Sequence, residues 1–291
     1  MKSVSFIPTA LAGAIAFAMA SSAAAQPSGP PPSGQVDWSG VYIGINSGWN
    51  SANSQAAPGA ATTQQLTGLS NGAGAVTVPP VTFPTRQMDY SSSGWAAGGQ
   101  VGFNHQMGHI VLGLEGDMDA VNGQAHQLSD YNALPASPLT TSNSVTIDRF
   151  AAPQWTASVR GRAGWAMGPV LLYGTGGLAI ADVRQAAFYR YAPTPTAAVL
   201  AANPGASFGP FSNGASSDST LTGWTVGGGA EWALTRAVSI GAEYRHSDYG
   251  HSTYDFGSTA PGATSEAVRL GFTDDQALAK VNFRFGGGGL F

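Results

Sequence analysis

The stretch AEWALTRAVSIGAEYRH, residues 230–246, alternates apolar and polar side chains on both sides of the Thr235-Arg236 step. Ahead of that step, Glu231 separates apolar neighbours. After it, an apolar residue recurs at every second position, at Val238, Ile240, Ala242 and Tyr244. A period of two predicts two β-strands joined by a tight turn. One side of this hairpin is apolar, and it must face either the second sheet of a soluble sandwich or the lipid of a membrane.

The composition favours neither a typical soluble domain nor a bundle of membrane helices. Only 10% of the 291 residues are charged, against roughly 25% in soluble domains, whereas glycine contributes 40 residues. Cysteine is absent, which excludes disulfides and thiolate chemistry. The formal net charge is −4, and the sequence has no basic patch of the kind that binds nucleic acid. Beyond the N-terminal segment, no run of about 18 apolar residues predicts a transmembrane helix.

The N-terminal segment predicts export. Lys2 is followed by an apolar run from about residue 10 to residue 20 and then by three alanines that end at Ala25. This is the arrangement of a secretory signal peptide. We expect a signal peptide over residues 1–25, cleaved between Ala25 and Gln26.

Eight alternating stretches follow. A Pro-rich periplasmic linker over residues 26–37 precedes them and a Gly-rich tail over residues 286–291 ends the chain, so the predicted strand domain covers residues 38–285. The predicted strands are 38–50, 94–106, 109–119, 154–166, 170–183, 222–234, 237–249 and 276–285. The fifth shows no clear division between its two faces. The strand-like run AVTVPPVTF (75–83) leaves open whether eight strands or ten are present.

Short and long connections alternate strictly between these strands. The tight turns are MGH, MGP and LTRA, and the long links, rich in Gly, Ala, Ser and Pro, are 51–92, 120–153, 184–221 and 250–275. A soluble sandwich has no reason to gather its short links at one end. An outer-membrane barrel does, because its periplasmic turns are short and its extracellular loops are long. The pattern predicts an all-β, eight-stranded antiparallel up-and-down transmembrane barrel.

Aromatic residues fall at both ends of the predicted strands. Trp155 and Trp165 share a face ten residues apart, and Trp224 and Trp232 share a face eight residues apart. At a rise of about 3.4 Å per residue and a tilt near 40°, these spacings project to roughly 20–26 Å, close to the ~25 Å apolar band of outer-membrane barrels. We expect lipid on this face and an aromatic girdle formed by Trp49, Trp95, Trp155, Trp165, Trp224, Trp232, Tyr244, Phe283 and Phe285.

The alternate positions then fill the lumen of the barrel. Their charged members are five acids and five bases, namely Glu115, Asp117, Asp119, Glu231, Glu243, Arg160, Arg162, Arg245, Lys280 and Arg284. An eight-stranded barrel is only wide enough to be filled by side chains, and unpaired charges inside it would be costly. The balance favours a lumen plugged by ion pairs over a gated pore, with Asp119 and Arg284 expected nearest the rims.

Two histidine-containing stretches have residue types that occur in catalytic or metal sites, but neither predicts such a site. RHSDYGHS (245–252) brings His246, Ser247 and Ser252 together in sequence. However, neighbours on a strand point to opposite faces, so the Ser–His pair that nucleophilic catalysis needs is not predicted. His105 and His109 flank a turn without a third metal ligand nearby. We expect no catalytic residue, no metal and no cofactor.

Five stretches together resemble the small outer-membrane β-barrel surface proteins of alphaproteobacteria, a group described as porin-family or OmpA-like. They are WSGVYIGINSGW (38–49), GGQVGFNHQMGHIVLGLEGDMD (98–119), VRGRAGWAMGPVLLYGTGGLAIADV (159–183), GWTVGGGAEWALTRAVSIGAEYRHSDYG (223–250) and KVNFRF (280–285). The resemblance implies an outer-membrane location in a Gram-negative bacterium. It also implies contacts with outer-membrane lipid, lipopolysaccharide and the barrel assembly machinery, and a role as a surface antigen that supports envelope integrity.

The end of the chain departs from that family pattern. Related chains usually end at the aromatic residue of the last strand, which helps the assembly machinery to recognise them. Here Phe285 occupies that place, but GGGGLF follows and ends in Phe291. Either residue could act as the assembly signal.

The expected function is that of a structural surface protein rather than an enzyme. Three alternatives stay open. The first is a narrow passive channel. The second is binding of haem, a host surface or a phage through the loops, where AAFYRYAPTPTAAVL (186–200) offers aromatic residues and an arginine. The third is a lipid A-modifying enzyme.

Overall fold

The structure, a computed structural model, describes residues 36–56, 61–64, 69–70, 75–76, 81–84, 89–123, 125–132, 140–202, 211–255, 264–265 and 267–285. The predicted signal peptide, most of the predicted linker and the predicted tail with Phe291 lie outside these residues. No helix within the described residues is long and apolar enough to cross a membrane.

The elements are β1 (Gly40–Ala56), β2 (Ala61–Gln64), β3 (Leu69–Ser70), β4 (Ala75–Val76), β5 (Val81–Pro84), β6 (Asp89–Met107), β7 (Ile110–Asn122), β8 (Ala125–Asn132), β9 (Thr140–Met167), β10 (Val170–Pro195), α1 (Ala197–Ala202), β11 (Phe211–Ala233), β12 (Val238–Asp255), β13 (Thr264–Ser265) and β14 (Ala267–Phe285).

Eight of these strands close into an antiparallel barrel. Starting from β1, the order of hydrogen-bonded neighbours is β6, β7, β9, β10, β11, β12 and β14, which pairs again with β1. The predicted eight-stranded barrel is therefore confirmed. Among the described residues, β2, β5 and β13 form a separate three-stranded sheet, and β3 pairs with β4. The strand-like run at 75–83 thus adds no strand to the barrel.

The tight turns occur at one end of the barrel, as predicted. Gly108 and Gly168 each begin a two-residue turn with φ of 63° and 60°, a left-handed conformation that glycine adopts with little steric cost. The third turn, 234–237, is fastened by Thr235, whose hydroxyl accepts hydrogen bonds from the backbone amides of Ala237 and Val238 at 3.2 and 2.9 Å. These turns fix the register of three hairpins.

The strands continue further from the membrane than the sequence pattern predicted. β10 extends to Pro195 instead of residue 183, and its partner β11 begins at Phe211 instead of residue 222. β8 adds a ninth strand outside the barrel, where it pairs with the upper part of β9. The predicted ends were wrong because the alternation of apolar and polar residues is lost in these extensions, as in RQAAFYRYAPTP (184–195). The antiparallel backbone pairing nevertheless continues through them.

The lumen is polar and the outside of the barrel is apolar. Leu114, Val159 and Leu178 are examples of exposed outward-facing residues, while the intervening positions are buried. The structure also assigns the faces of the fifth barrel strand, β10. Leu171 and Tyr173 are buried inside, whereas Leu172 is exposed outside. Its sequence is apolar on both faces, which is why the alternation could not be read there.

Candidate functional site

The candidate site is a charged layer across the middle of the lumen, and Arg160 on β9 is at its centre. Its Nη2 atom lies 2.5 Å from Glu115 Oε1 and 3.0 Å from Asp117 Oδ2, and its Nη1 atom lies 2.5 Å from Glu243 Oε1. Glu115 is the direct partner of Arg160 in the β7–β9 register. All of these side chains are almost fully buried, so the interactions are charge-assisted hydrogen bonds shielded from water.

Lys280 on β14 joins the same carboxylates from the opposite wall. Its Nζ atom lies 2.8 Å from Glu115 Oε1 and 2.7 Å from Glu243 Oε2. Glu115 and Glu243 are therefore each shared between Arg160 and Lys280. The four side chains tie β7, β9, β12 and β14 together across the barrel.

Two further arginines extend this layer towards the two ends of the barrel. Arg245 donates to Asp117 Oδ1 and to Asp119 Oδ2, each at 2.5 Å. Arg162 lies 2.5 Å from Glu231 and is stacked 3.7 Å from the ring centroid of Tyr173. The predicted lumen charges are thus brought together, with the exception of Arg284.

Two tyrosines complete the layer, and each lies over a glycine of the neighbouring strand. The Tyr42 hydroxyl donates to Glu115 at 2.7 Å, and the Tyr173 hydroxyl donates to Glu243 at 2.8 Å. Tyr42 is paired with Gly102, and Tyr173 with Gly229. A Cβ atom added at Gly102 would lie 2.3 Å from the Tyr42 ring, so the absence of a side chain there leaves room for the ring.

The turn end of the lumen is closed by an apolar layer under Trp38. This tryptophan is 1% exposed and packs in a hydrophobic cluster that includes Val111, Leu171 and Tyr173. Its backbone amide donates to Gln106 Oε1 at 2.7 Å. Sequence analysis placed Trp38 at the start of a strand, whereas the structure folds it into the mouth of the barrel.

Arg284 lies in this layer and not in the charged network, which corrects the expectation for this residue. Its guanidinium is stacked 4.3 Å from the Trp38 ring centroid and donates to the backbone carbonyl of Asp37 at 2.8 Å. It forms no ion pair with any described residue. Arg284 therefore stabilises the closed turn end of the lumen through a cation–π contact with Trp38.

The opposite end of the lumen has a second apolar layer. It consists of Ala52, Ala179, Ala181, Val183, Leu221, Tyr249 and Phe272. Beside it lies Asp274 on β14, a buried acid that the sequence analysis missed. Its carboxylate accepts hydrogen bonds from the side-chain amides of Asn50 and Gln276. Asp274 was missed because the last strand was predicted to begin at residue 276, which left it in a loop.

The predicted aromatic girdle residues all lie on the outward face. Exposed side chains at the turn end are Trp165, Trp232, Phe283 and Phe285. Near the extracellular end they are Trp49, Trp95, Trp224 and Tyr244, and Trp155 is half-buried beside them. Trp49 is paired with Trp95 on β6 and with Ala277 on β14, and Tyr244 is also paired with Ala277. The aromatic rings therefore form two groups separated along the strands.

The stretch 245–252 does not assemble a catalytic pair. His246 Nδ1 lies 2.8 Å from Asp275 Oδ1 at the outer surface. Ser247 is buried on the lumen side, where its hydroxyl donates to Thr225 at 3.0 Å. Within the described residues there is also no cluster of three or more His, Cys, Asp or Glu side chains suited to a metal ion.

A closed antiparallel barrel with an apolar exterior, two groups of interfacial aromatics and an ionised interior is the architecture of a transmembrane β-barrel of the Gram-negative outer membrane. The sequence places it within one such family. The chain belongs to the outer membrane protein beta-barrel domain family, whose profile matches residues 10–285. The predicted family resemblance and the predicted outer-membrane location are therefore confirmed.

Two relatives that match in sequence agree with this assignment. A 22 kDa outer membrane protein of Rhizobium leguminosarum bv. viciae is 34% identical over 179 residues, which cover 60% of this chain and 64% of that protein. A 31 kDa outer-membrane immunogenic protein of Brucella melitensis is 27% identical over 257 residues, or 86% of this chain and 88% of that protein. Among solved structures, the outer membrane protein OprG from Pseudomonas aeruginosa matches with a TM-score of 0.37 and 11% identity, covering 86% of this chain and 99% of that chain.

Proposed function

We propose that the protein is a structural surface protein of the outer membrane whose lumen is closed, and not a passive channel. The observation that carries this proposal is the order of layers along the lumen. An apolar layer at Trp38, a network of buried ion pairs and a second apolar layer follow one another. Ions would have to break several charge-assisted hydrogen bonds to pass, and a buried charge that loses its partner is costly.

The name of the Brucella relative, an outer-membrane immunogenic protein, supports a surface role. The extension of β9, β10 and β11 beyond the extracellular aromatics supports the same role, since these paired strands project away from the membrane. We propose no enzymatic activity. The one Ser–His neighbourhood singled out in the sequence, at His246 and Ser247, has its two side chains on opposite faces of β12.

Electrical recording tests the closed lumen. The folded wild-type protein in a planar lipid bilayer is expected to add no stepwise current to that of the bare bilayer, because the ion pairs fill the lumen. Insertion is checked by gel mobility, since closed barrels resist detergent until they are heated, and a wide porin is the positive control. Reproducible current steps of one size from the folded wild-type protein would replace this proposal with a narrow channel.

A second role is supported by the outward face of β10 above the extracellular aromatics. Arg184, Phe188 and Arg190 are all exposed there, at alternate positions of the strand. Arg184 lies 3.8 Å from Asp218, but both side chains are largely in solvent. Guanidinium groups bind phosphate through paired hydrogen bonds. We propose that this face contacts the phosphates of lipopolysaccharide in the outer leaflet.

Substitution of both arginines tests this contact. The double variant Arg184→Gln/Arg190→Gln is expected to bind purified lipopolysaccharide about fivefold more weakly than wild type, in line with two exposed ion pairs. The matched control is Arg236→Gln, which removes an exposed arginine from the turn at the opposite end of the barrel. Binding is measured with detergent-solubilised barrel. An equal loss in the control, or no loss in the double variant, would contradict the proposal.

A further inference from the structure

Strand β11 has an open edge above the extracellular aromatics. The lower part of the strand is paired on both sides, but its pairing with β12 ends at Trp224 and Asp248. Its pairing with β10 continues without interruption to Phe211. In the part of the chain that the structure describes, no strand pairs with the other side of residues 211–223. This stretch is therefore one edge of the sheet that projects from the barrel.

The separation of β12 from β11 begins at a bulge. Gly250 lies in the left-handed region with a φ of 65°, and the register between β12 and β14 shifts between Asp248 and His251. A bulge bends its strand and increases the local twist. Beyond this point β12 stays paired with β14 but is no longer paired with β11. The bulge therefore explains why the edge of β11 is open.

Two hydrogen bonds at the turn end of β11 establish which main-chain groups face this edge. The amide of Ala233 donates to the carbonyl of Pro169, beside β10, at 2.8 Å, and the amide of Leu234 donates to the carbonyl of Val238 on β12 at 2.9 Å. Successive residues of an antiparallel strand direct their main-chain groups to alternate sides, and β11 has no register shift against β10. The even-numbered residues of 212–222 therefore direct their N–H and C=O groups to the open side.

The open edge has none of the usual protection against further pairing. Edge strands are commonly protected by lysine, by proline or by a bulge of their own, and the sequence FSNGASSDSTLTG (211–223) contains no lysine or proline and is paired with β10 without a bulge. Its one charge is Asp218, whose side chain is 70% exposed and lies 3.8 Å from Arg184. Ser216 and Thr220, on the same face, are small and exposed. A partner strand would meet little steric hindrance there.

A second copy of the barrel fits this edge poorly. Strands of outer-membrane barrels are tilted by about 35–45°, and two copies in one membrane are related by a rotation about the membrane normal. Two facing β11 strands would then cross at roughly twice that tilt, so only a few of their residues could pair. An extended peptide from another molecule can align with the whole edge, because its direction is not fixed by the membrane.

We propose that the open edge of β11 binds an extended polypeptide segment of a partner outside the cell, which adds to the projecting sheet as a further strand. Main-chain hydrogen bonds to the even-numbered residues of 212–222 supply most of the affinity, so the segment must be extended and poor in proline. A basic side chain opposite Asp218 adds specificity, since cross-strand pairs of opposite charge are favourable. The proposal does not depend on whether the lumen is closed.

Amide hydrogen exchange of the full chain, refolded in detergent and followed by NMR, tests the edge itself. In the free protein the amides of Ser216, Asp218 and Thr220 are expected to exchange at least about tenfold faster than those of Ser217 and Ser219, because only the odd-numbered amides are paired with β10. Equal exchange of the two sets would overturn the proposal. If both sets exchanged slowly, another segment of this chain would be the occupant of the edge.

Peptide binding is then measured with a capped probe of threonine and serine residues around one central lysine. The control peptide has the same length and charge but carries proline at every third residue, which removes main-chain donors from both of its edges. The probe is expected to bind wild type and to slow the exchange of the even-numbered amides. The control peptide is expected to bind at least about tenfold more weakly. No binding of the probe, or equal binding of the two peptides, would overturn the proposal.

Two proline variants and one control locate the binding edge. Ser216→Pro removes one edge-facing N–H, which an edge strand tolerates, and is expected to weaken binding of the probe about fivefold. Thr220→Pro is expected to act in the same way, so the test does not depend on one variant that could fail to fold. Ser216→Ala keeps the N–H and is expected to bind like wild type. Equal binding by wild type and both proline variants would overturn the proposal. A wild-type dimer in detergent that Ser216→Pro dissociates would also overturn it, because a second copy would then occupy the edge.

Discussion

Replacing Arg160 with methionine is expected to lower the free energy of unfolding by about 3–5 kcal/mol, because it leaves buried carboxylates without their cation. Arg160 lies within 3.0 Å of Glu115, Asp117 and Glu243. Lys280 remains as a partner of Glu115 and Glu243, and Asp117 keeps its ion pair with Arg245. Methionine keeps most of the arginine stem, so the loss is mainly one of charge. Urea titration of barrels refolded in lipid vesicles, followed by tryptophan fluorescence, measures the effect.

An exposed arginine on the next barrel strand provides the matched control. Arg184→Met removes an ion pair whose two side chains are 62% and 70% exposed, so a change of no more than about 1 kcal/mol is expected. The double variant Arg160→Met/Glu243→Gln is expected to be more stable than the sum of its single variants predicts, because it removes an acid that Arg160 no longer neutralises. If Arg160→Met were as mild as Arg184→Met, the ion pairs of the lumen would not be needed for the stability of the barrel.

Gly102→Ala is expected to destabilise the barrel by about 1–3 kcal/mol through overpacking. The new Cβ atom would lie 2.3 Å from Tyr42 Cζ and 2.4 Å from the Tyr42 hydroxyl oxygen. Tyr42 would have to move, and its hydroxyl would then lose the hydrogen bond to Glu115. The effect is measured by the same urea titration, and by the temperature at which the compact form on a detergent gel is lost.

Gly116→Ala is the control for this substitution. Gly116 faces outward on β7, and a Cβ atom there would meet only the carbonyl oxygen of Ser158, at an ordinary 3.7 Å. A change within about 1 kcal/mol is expected, since replacing glycine at an unstrained position mainly reduces the entropy of the unfolded chain. Equal stability of the two variants would mean that the Tyr42 ring has another position available and that its pairing with Gly102 is dispensable.

The stretch around Trp232 and Ile240 was sufficient to predict a hairpin, because strand periodicity is local. The same period placed Glu115, Arg160 and Lys280 on one face before any contact between them was known. The two faces of the fifth barrel strand could not be predicted in this way. Leu171 and Leu172 are equally apolar, although one is buried and the other exposed. The ends of the strands were also misjudged, because the alternation of apolar and polar residues stops before the backbone pairing does.

What the sequence by itself determined was the face of each alternating residue, the positions of the tight turns and therefore the class of fold. A period of two and a glycine in a tight turn are local features of the sequence. They can therefore be recognised without knowing which strands are neighbours in the barrel. Only the tertiary structure decided which charges meet. Arg160 and Glu243 are 83 residues apart, and their contact depends on the strand register and the closure of β1 onto β14. The inward turn of Trp38 and the burial of Asp274 depend on the same closure, because a lumen exists only once the last strand has paired with the first.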